Sequence, residues 1–189
     1  MQIDWITIVS GLPRSGTSLM MQMLDAGGIP PMMDGLRAAD DDNPAGYFEW
    51  ERIKELKTDS PWLNEARGRA VKIISLLLLD LPPGLPCRII FMKRNLDEIL
   101  ASQRTMLQRR QVADPGPPDD QMRRHYENHL TKVSRWLVEQ KIPWMECDYN
   151  RLIQNPDPLL SDISVFLDRH PDPMAMRTAI RSNLYRNRQ

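Results

Sequence analysis

Val9-Ser10-Gly11-Leu12-Pro13-Arg14-Ser15-Gly16-Thr17-Ser18-Leu19-Met20 reads as a phosphate-binding loop that has lost its lysine. An apolar run leads into two glycines four residues apart, a Thr-Ser pair follows, and a helix-like stretch comes after it. A nucleotide-hydrolysing loop of the form G-x-x-x-x-G-K-[ST] carries lysine where Thr17 stands here. The one cation, Arg14, lies inside the loop. Glycines let backbone N–H groups curl around an anion, and the following helix start adds partial positive charge. The loop is therefore expected to grip a phosphate without the usual lysine for the β- and γ-phosphates of ATP.

Working outward, four short apolar runs predict strands at residues 5–9, 70–74, 88–92 and 142–149. Three are β-branched and unalternating, the pattern of strands buried on both faces of a parallel sheet. Helical periodicity lies between them. Residues 17–26 follow the first strand, with Gly27-Gly28 as the stop. Residues 96–110 follow the third, with Asn95 as cap and Asp97 and Glu98 suited to the positive end. Residues 120–140 carry Met122, Tyr126, His129, Leu130, Val133, Trp136 and Leu137 at a 3.6-residue period, and 158–167 form a further helix. Alternating strands and helices imply an α/β fold with right-handed crossovers. Residues 1–189 read as one domain, with no internal repeat. Two proline-rich stretches, 28–44 and 114–119, are expected to be surface loops that serve either as lids or as plain connections.

With 25 basic and 25 acidic residues the formal charge is zero, which argues against a nucleic-acid binder working through a general positive field. The greasiest run, 73–81, falls short of the ~20 apolar residues that span a bilayer. No basic leader precedes the first strand, so no signal peptide and no membrane attachment are expected. Cys87 and Cys147 are too few for a disulfide framework or a metal cluster and read as small buried side chains. A cytoplasmic location is the plain expectation. His125 and His129, four apart on a helix, could clip a metal, but no third ligand joins them and they read as the edge of a packing stripe.

Beyond the loop, Phe91-Met92-Lys93-Arg94 ends the third predicted strand and Ser102 lies eight positions after Arg94. A strand-end guanidinium can donate two charge-assisted hydrogen bonds to a phosphate, and a serine two turns into the helix adds a hydroxyl. Cys147-Asp148-Tyr149-Asn150-Arg151-Leu152 and Asn155-Pro156 close the fourth strand, and Asp42-Asn43-Pro44-Ala45-Gly46-Tyr47-Phe48-Glu49 precedes the second. Together these strings resemble the sulfotransferases that use 3′-phosphoadenosine 5′-phosphosulfate (PAPS). The Pro-Arg-Ser-Gly-Thr loop is most similar to that of protein-tyrosine and many bacterial sulfotransferases.

The resemblance implies a P-loop NTPase-like sandwich with a central parallel sheet of about four to five strands flanked by helices. It implies that Arg14, Ser15, Gly16, Thr17 and Ser18 hold the 5′-phosphosulfate, and that Arg94 and Ser102 hold the 3′-phosphate. Tyr149 is implied at the strand end with its hydroxyl near the cleft rim, although it reads equally as a core tyrosine. Arg186 in the basic tail is implied to close over the 3′-phosphate, or else to lie in a solvated terminus. Arg14 stands for the catalytic lysine, and Lys72, at the start of the second strand, faces the sulfuryl oxygens or the leaving bisphosphate (PAP). Glu49 is the first choice of base for the acceptor proton and Glu51 the reserve, against a plain helix-start role. Sulfuryl transfer from PAPS calls for no metal. The acceptor is a small molecule or peptide offering a hydroxyl or amine, of identity and oligomeric context the sequence does not specify. Two other readings stay open: a small P-loop kinase using ATP and magnesium, and an idle nucleotide-binding module, since bacterial members usually carry more chain.

Overall fold

The computed structural model describes residues 4–36, 46–58, 60–112 and 116–180. Four strands, β1 (Ile6–Gly11), β2 (Ala70–Lys72), β3 (Cys87–Lys93) and β4 (Trp144–Asp148), form one sheet in the order β2-β1-β3-β4. Every pairing is parallel, with Val9 opposite Lys72 and Ile90, and Ile90 opposite Met145. β1 is buried along its whole length, which explains its unbroken apolar and small-residue run.

Alternate residues of the central strands feed two cores. Val9, Ile90, Met92 and Cys147 point to the side covered by α1 (Thr17–Ala26), α5 (Tyr149–Gln154), α6 (Pro156–Leu167) and α7 (Pro173–Thr178). Ile6, Ile8, Val71, Ile89 and Phe91 face the other side, beneath Val133 and Leu137 of α4 (Asp119–Glu139) and the short helical turns holding Ile53 and Trp62. The fold is an α/β sandwich with an all-parallel sheet, as the alternation of strand and helix patterns implies, and it agrees with the P-loop-like sandwich that the resemblance implies. β1 is followed by β2 on one side and β3 on the other, so the topological switch point lies between β1 and β3. In open α/β sheets ligands bind in a crevice at such a point, beyond the carboxyl ends of the strands.

Several boundaries depart from expectation. β2 stops at Lys72, so Lys72 ends that strand at the crevice side instead of beginning it. The apolar run after it turns into α2 (Ser75–Leu78), leaving Leu76 exposed. β4 starts only after Pro143 and ends at Asp148, whose carboxylate caps α5 by accepting the Arg151 N–H at 2.9 Å. That cap makes Tyr149 the first residue of a helix, not a strand residue. In the first proline-rich stretch, residues 29–32 are not a free loop. Ala70 N–H donates to the Pro30 carbonyl and Met32 N–H to the Ala70 carbonyl, adding a short parallel bridge to β2. Residues 37–45 and 113–115, which hold the end of that stretch and part of the second, lie outside the described residues.

The helix stop and start signals act as read. α1 ends at Ala26, and Asn95 Oδ1 accepts the Asp97 N–H at 2.8 Å to cap α3 (Leu96–Arg109). His125 is exposed, and His129 Nε2 lies 3.0 Å from the Ser75 hydroxyl, joining α4 to α2. Burial, with Lys132 adding to it, holds the His129 pKa below its ordinary 6.5. The folded value is the lower one, so the unfolded chain binds more protons at mildly acidic pH. This contribution is whole above 6.5 and is lost as pH falls toward the folded value. Urea unfolding at pH 7.5 and 5.5 is expected to show a drop in stability that shrinks in His129→Gln; an equal drop in both proteins would contradict this.

Candidate functional site

The loop after β1 is built from strained backbone. Gly11 has φ 152° and packs so tightly that a Cβ there would lie 2.5 Å from Ser15 Oγ and 2.7 Å from the Met92 carbonyl. Arg14 is left-handed at φ 70°, a conformation that costs a side-chain-bearing residue roughly 1–2 kcal/mol. Gly16 is left-handed at φ 101°, and a Cβ there would meet the Tyr149 ring at 2.4 Å. These two glycines therefore serve geometry that no other residue supplies. Gly16 also accepts the first helical bond, from Met20 N–H at 3.1 Å, and no side chain caps α1. The first-turn N–H groups and the dipole of a ten-residue helix thus face the crevice.

Ser15 Oγ is buried without a hydrogen-bond partner among the described residues. An orphaned buried hydroxyl costs roughly 1–3 kcal/mol, which an anion's oxygen in the loop would relieve. The loop's donor set, amides plus hydroxyls plus Arg14, fits a phosphate or sulfate ester.

Arg14 and Arg94 brace the loop to α3 in both directions. Arg14 Nε donates to Ser102 Oγ at 3.0 Å, and Ser102 is itself buried. Arg94 Nη1 donates to the Arg14 carbonyl at 3.1 Å, so the strand-end arginine holds the strained residue. Arg94 Nε donates to Glu98 Oε2 at 2.8 Å, and the two side chains are only 8% and 7% exposed. Glu98 Oε1 accepts from Asn150 Nδ2 at 2.8 Å. The Arg94 guanidinium lies 4.5 Å from the centre of the Tyr149 ring, which also packs against Gly16. Tyr149 is buried, and its ring forms a platform between Arg94 and the loop.

A second group gathers at the end of β2. Lys72 is buried; its ammonium donates to the Tyr47 carbonyl and lies 3.5 Å from both Ser18 Oγ and Glu49 Oε1. Glu49 follows Gly46 and Phe48, both left-handed at φ 91° and 51°. Glu51, the reserve base, instead faces Lys54 in an exposed ion pair. Arg186 lies outside the described residues, as do residues 42–45 of the Tyr47 segment.

Of the expected site residues, Arg14, Ser15, Gly16, Arg94, Ser102 and Tyr149 thus come together, with Thr17 continuing the loop into α1. Ser18, Lys72 and Glu49 form the adjoining group. Sequence reading missed Glu98 as a partner of Arg94, although the i,i+4 spacing of opposite charges was a signal for it. Asn150 and Tyr47 stood inside the quoted strings without a role of their own. Cys87 and Cys147 are buried, and burial pushes both thiols up to about 12, which leaves them no thiolate character. Among the described residues no three metal-ligating side chains cluster, and no helix is long and apolar enough to cross a membrane.

No family model matches the sequence, and no curated protein matches it. Solved structures do. The sulfotransferase domain of the Synechococcus PCC 7002 olefin synthase overlays with a TM-score of 0.57 at 15% identity, over 95% of this chain and 78% of that one. The sulfotransferase domain from the curacin biosynthetic pathway gives 0.56 at 14% identity, over 96% and 79%. The chain has the fold of these sulfotransferase domains. In this chain the loop after β1 and the ends of β2 and β3 all lie at the carboxyl ends of the parallel strands.

Proposed function

We propose that this chain is a sulfotransferase that moves a sulfuryl group from PAPS to a hydroxyl or amine of a small-molecule or peptide acceptor. The observation that carries the reading is the reciprocal bracing of the two anion motifs. Arg14 reaches Ser102 and Arg94 reaches Arg14, around an uncapped helix start with an orphaned hydroxyl inside the loop. A single phosphate would need only the loop. A ligand with two separated phosphate groups uses both ends of the brace.

PAPS supplies a sulfuryl group on a good leaving group, the 5′-phosphate of PAP. Loop amides with Ser15, Thr17 and Ser18 hold the 5′ end, and Arg94 with Ser102 holds the 3′-phosphate over the Tyr149 platform. Arg186 would add a further cation to that end. Arg14 opposes the negative charge that builds on the bridging oxygen, and Lys72, next to Ser18, does so from the other side. Fixed cations of this kind need no reorganisation during the reaction. Glu49 accepts the proton of the attacking hydroxyl as the new O–S bond forms and the S–O bond to the 5′-phosphate breaks. The electron pair of the broken S–O bond leaves on that phosphate oxygen.

Thermal unfolding with 3′,5′-adenosine bisphosphate in EDTA, against ATP with magnesium, tests this directly. A ligand at about a hundred times its Kd adds about 2.7 kcal/mol, which raises the midpoint of a chain this size by about 5–10 °C. That rise is expected with the bisphosphate alone. A rise only with ATP and magnesium would sink the sulfotransferase reading, and silence from both would leave a degenerate nucleotide site.

A further inference from the structure

The segment carrying Glu49 has little regular structure, and two of its residues before Glu49 are left-handed, so something must hold it in place. One hold is Lys72, through Tyr47 and Glu49. The other comes from a residue outside the site as described. Asp34 lies just beyond the stretch that bridges β2, and it grips the Glu49 segment at two points. Its backbone N–H donates to the Glu49 carbonyl at 3.2 Å, and its Oδ2 accepts the Glu51 N–H at 2.6 Å. Its Oδ1 accepts the Leu36 N–H at 3.0 Å, which fixes the carboxylate's own orientation. The Asp34 bonds therefore fix the segment at Glu49 itself and two positions on.

We infer that Asp34 is a positioning residue for Glu49, locking the base-bearing segment to the edge of β2 so that the carboxylate stays beside Lys72. The inference rests on the proposed function, in which Glu49 is the base. Hydrogen bonds from the Glu51 and Leu36 amides hold the Asp34 pKa below its ordinary value, so the clamp stays charged through neutral and mildly acid pH. Asp34 touches no loop amide, Arg94 or Ser102 in the contacts above, so its loss should spare the donor site and disturb the proton acceptor. A misplacement of about 1 Å at a reacting group can cost about a hundredfold in rate.

The test uses water as the acceptor. Release of inorganic sulfate from labelled PAPS is followed for the native protein, Glu49→Gln, Asp34→Ala and Asp34→Asn, alongside the thermal shift with the bisphosphate. In this reaction the water oxygen bonds to sulfur, the sulfur–oxygen bond to the 5′-phosphate breaks, and the water proton passes to Glu49. Asp34→Ala is expected to lose at least about tenfold in sulfate release while keeping the full bisphosphate shift. Asp34→Asn, which keeps one accepting oxygen, should recover part of the loss. A native rate no higher than that of Glu49→Gln would overturn the base, and this inference with it. A native rate above Glu49→Gln but equal to Asp34→Ala would overturn the positioning role alone. A reduced bisphosphate shift in Asp34→Ala would also overturn it, as the effect would then be general. Should Asp34→Ala fail to fold, Asp34→Asn decides: a rate between native and Glu49→Gln with the shift intact supports the clamp, and a native rate overturns it.

Discussion

Glu49→Gln is expected to lower PAPS turnover by about 10²–10⁴-fold while leaving bisphosphate binding unchanged. The amide keeps the shape of the side chain and removes its capacity to take a proton. Glu49 lies 3.5 Å from Lys72 at the end of β2, away from the bonds that join Arg14, Arg94 and Ser102. The change should therefore appear in kcat, with donor affinity spared. Lys72→Met should also lose turnover, since a buried cation next to Ser18 is removed from where charge develops. Turnover of Glu49→Gln within threefold of native would remove Glu49 from the mechanism and leave the proton acceptor unassigned.

The second large effect is on stability. Glu98→Ala strips the counter-charge from Arg94 at a place where both side chains are more than nine-tenths buried. Removing one partner of a buried pair costs about 3–5 kcal/mol, because the remaining charge stays desolvated. The loss of the Asn150 hydrogen bond adds to the damage. Urea unfolding of Glu98→Ala is expected to show a fall of that size. The double change Arg94→Met with Glu98→Leu should recover most of it, since apolar replacement of a whole buried pair is often neutral or better. The double variant is expected to have lost bisphosphate binding even where it is stable. A fall below about 1 kcal/mol in the single variant would mean that water reaches Arg94 freely, and the pair would then be a surface pair.

Much of the architecture is legible in the linear chain because it rests on local signals. The unbroken apolar run of β1, the Asn95 cap and the 3.6-residue stripe of α4 each act within a few residues. The loop 11–16 is legible for the same reason: two glycines at a fixed spacing before a helix admit few backbone paths. Where neighbours in space compete with neighbours in sequence, the reading slips. The run 70–74 looks like a strand, yet only Ala70–Lys72 finds partners on the sheet edge. Tyr149 reads as a strand residue until Asp148 caps the helix that starts with it.

The parallel α/β alternation and the glycine spacing of the loop are written in the linear chain, since they follow from periodicity and local turn geometry, while Arg94, Lys72 and Glu49 were picked out there only by resemblance to a family. The tertiary structure decided which charges meet. Arg14 with Ser102, Arg94 with the Arg14 carbonyl, Lys72 with Glu49, and Asp34 with Glu51 join residues 88, 80, 23 and 17 positions apart. Contacts at such separations leave no periodic trace along the chain. They exist only because parallel strands bring several loops to the same end of one sheet, where short-range hydrogen bonds and desolvated charges select the partners.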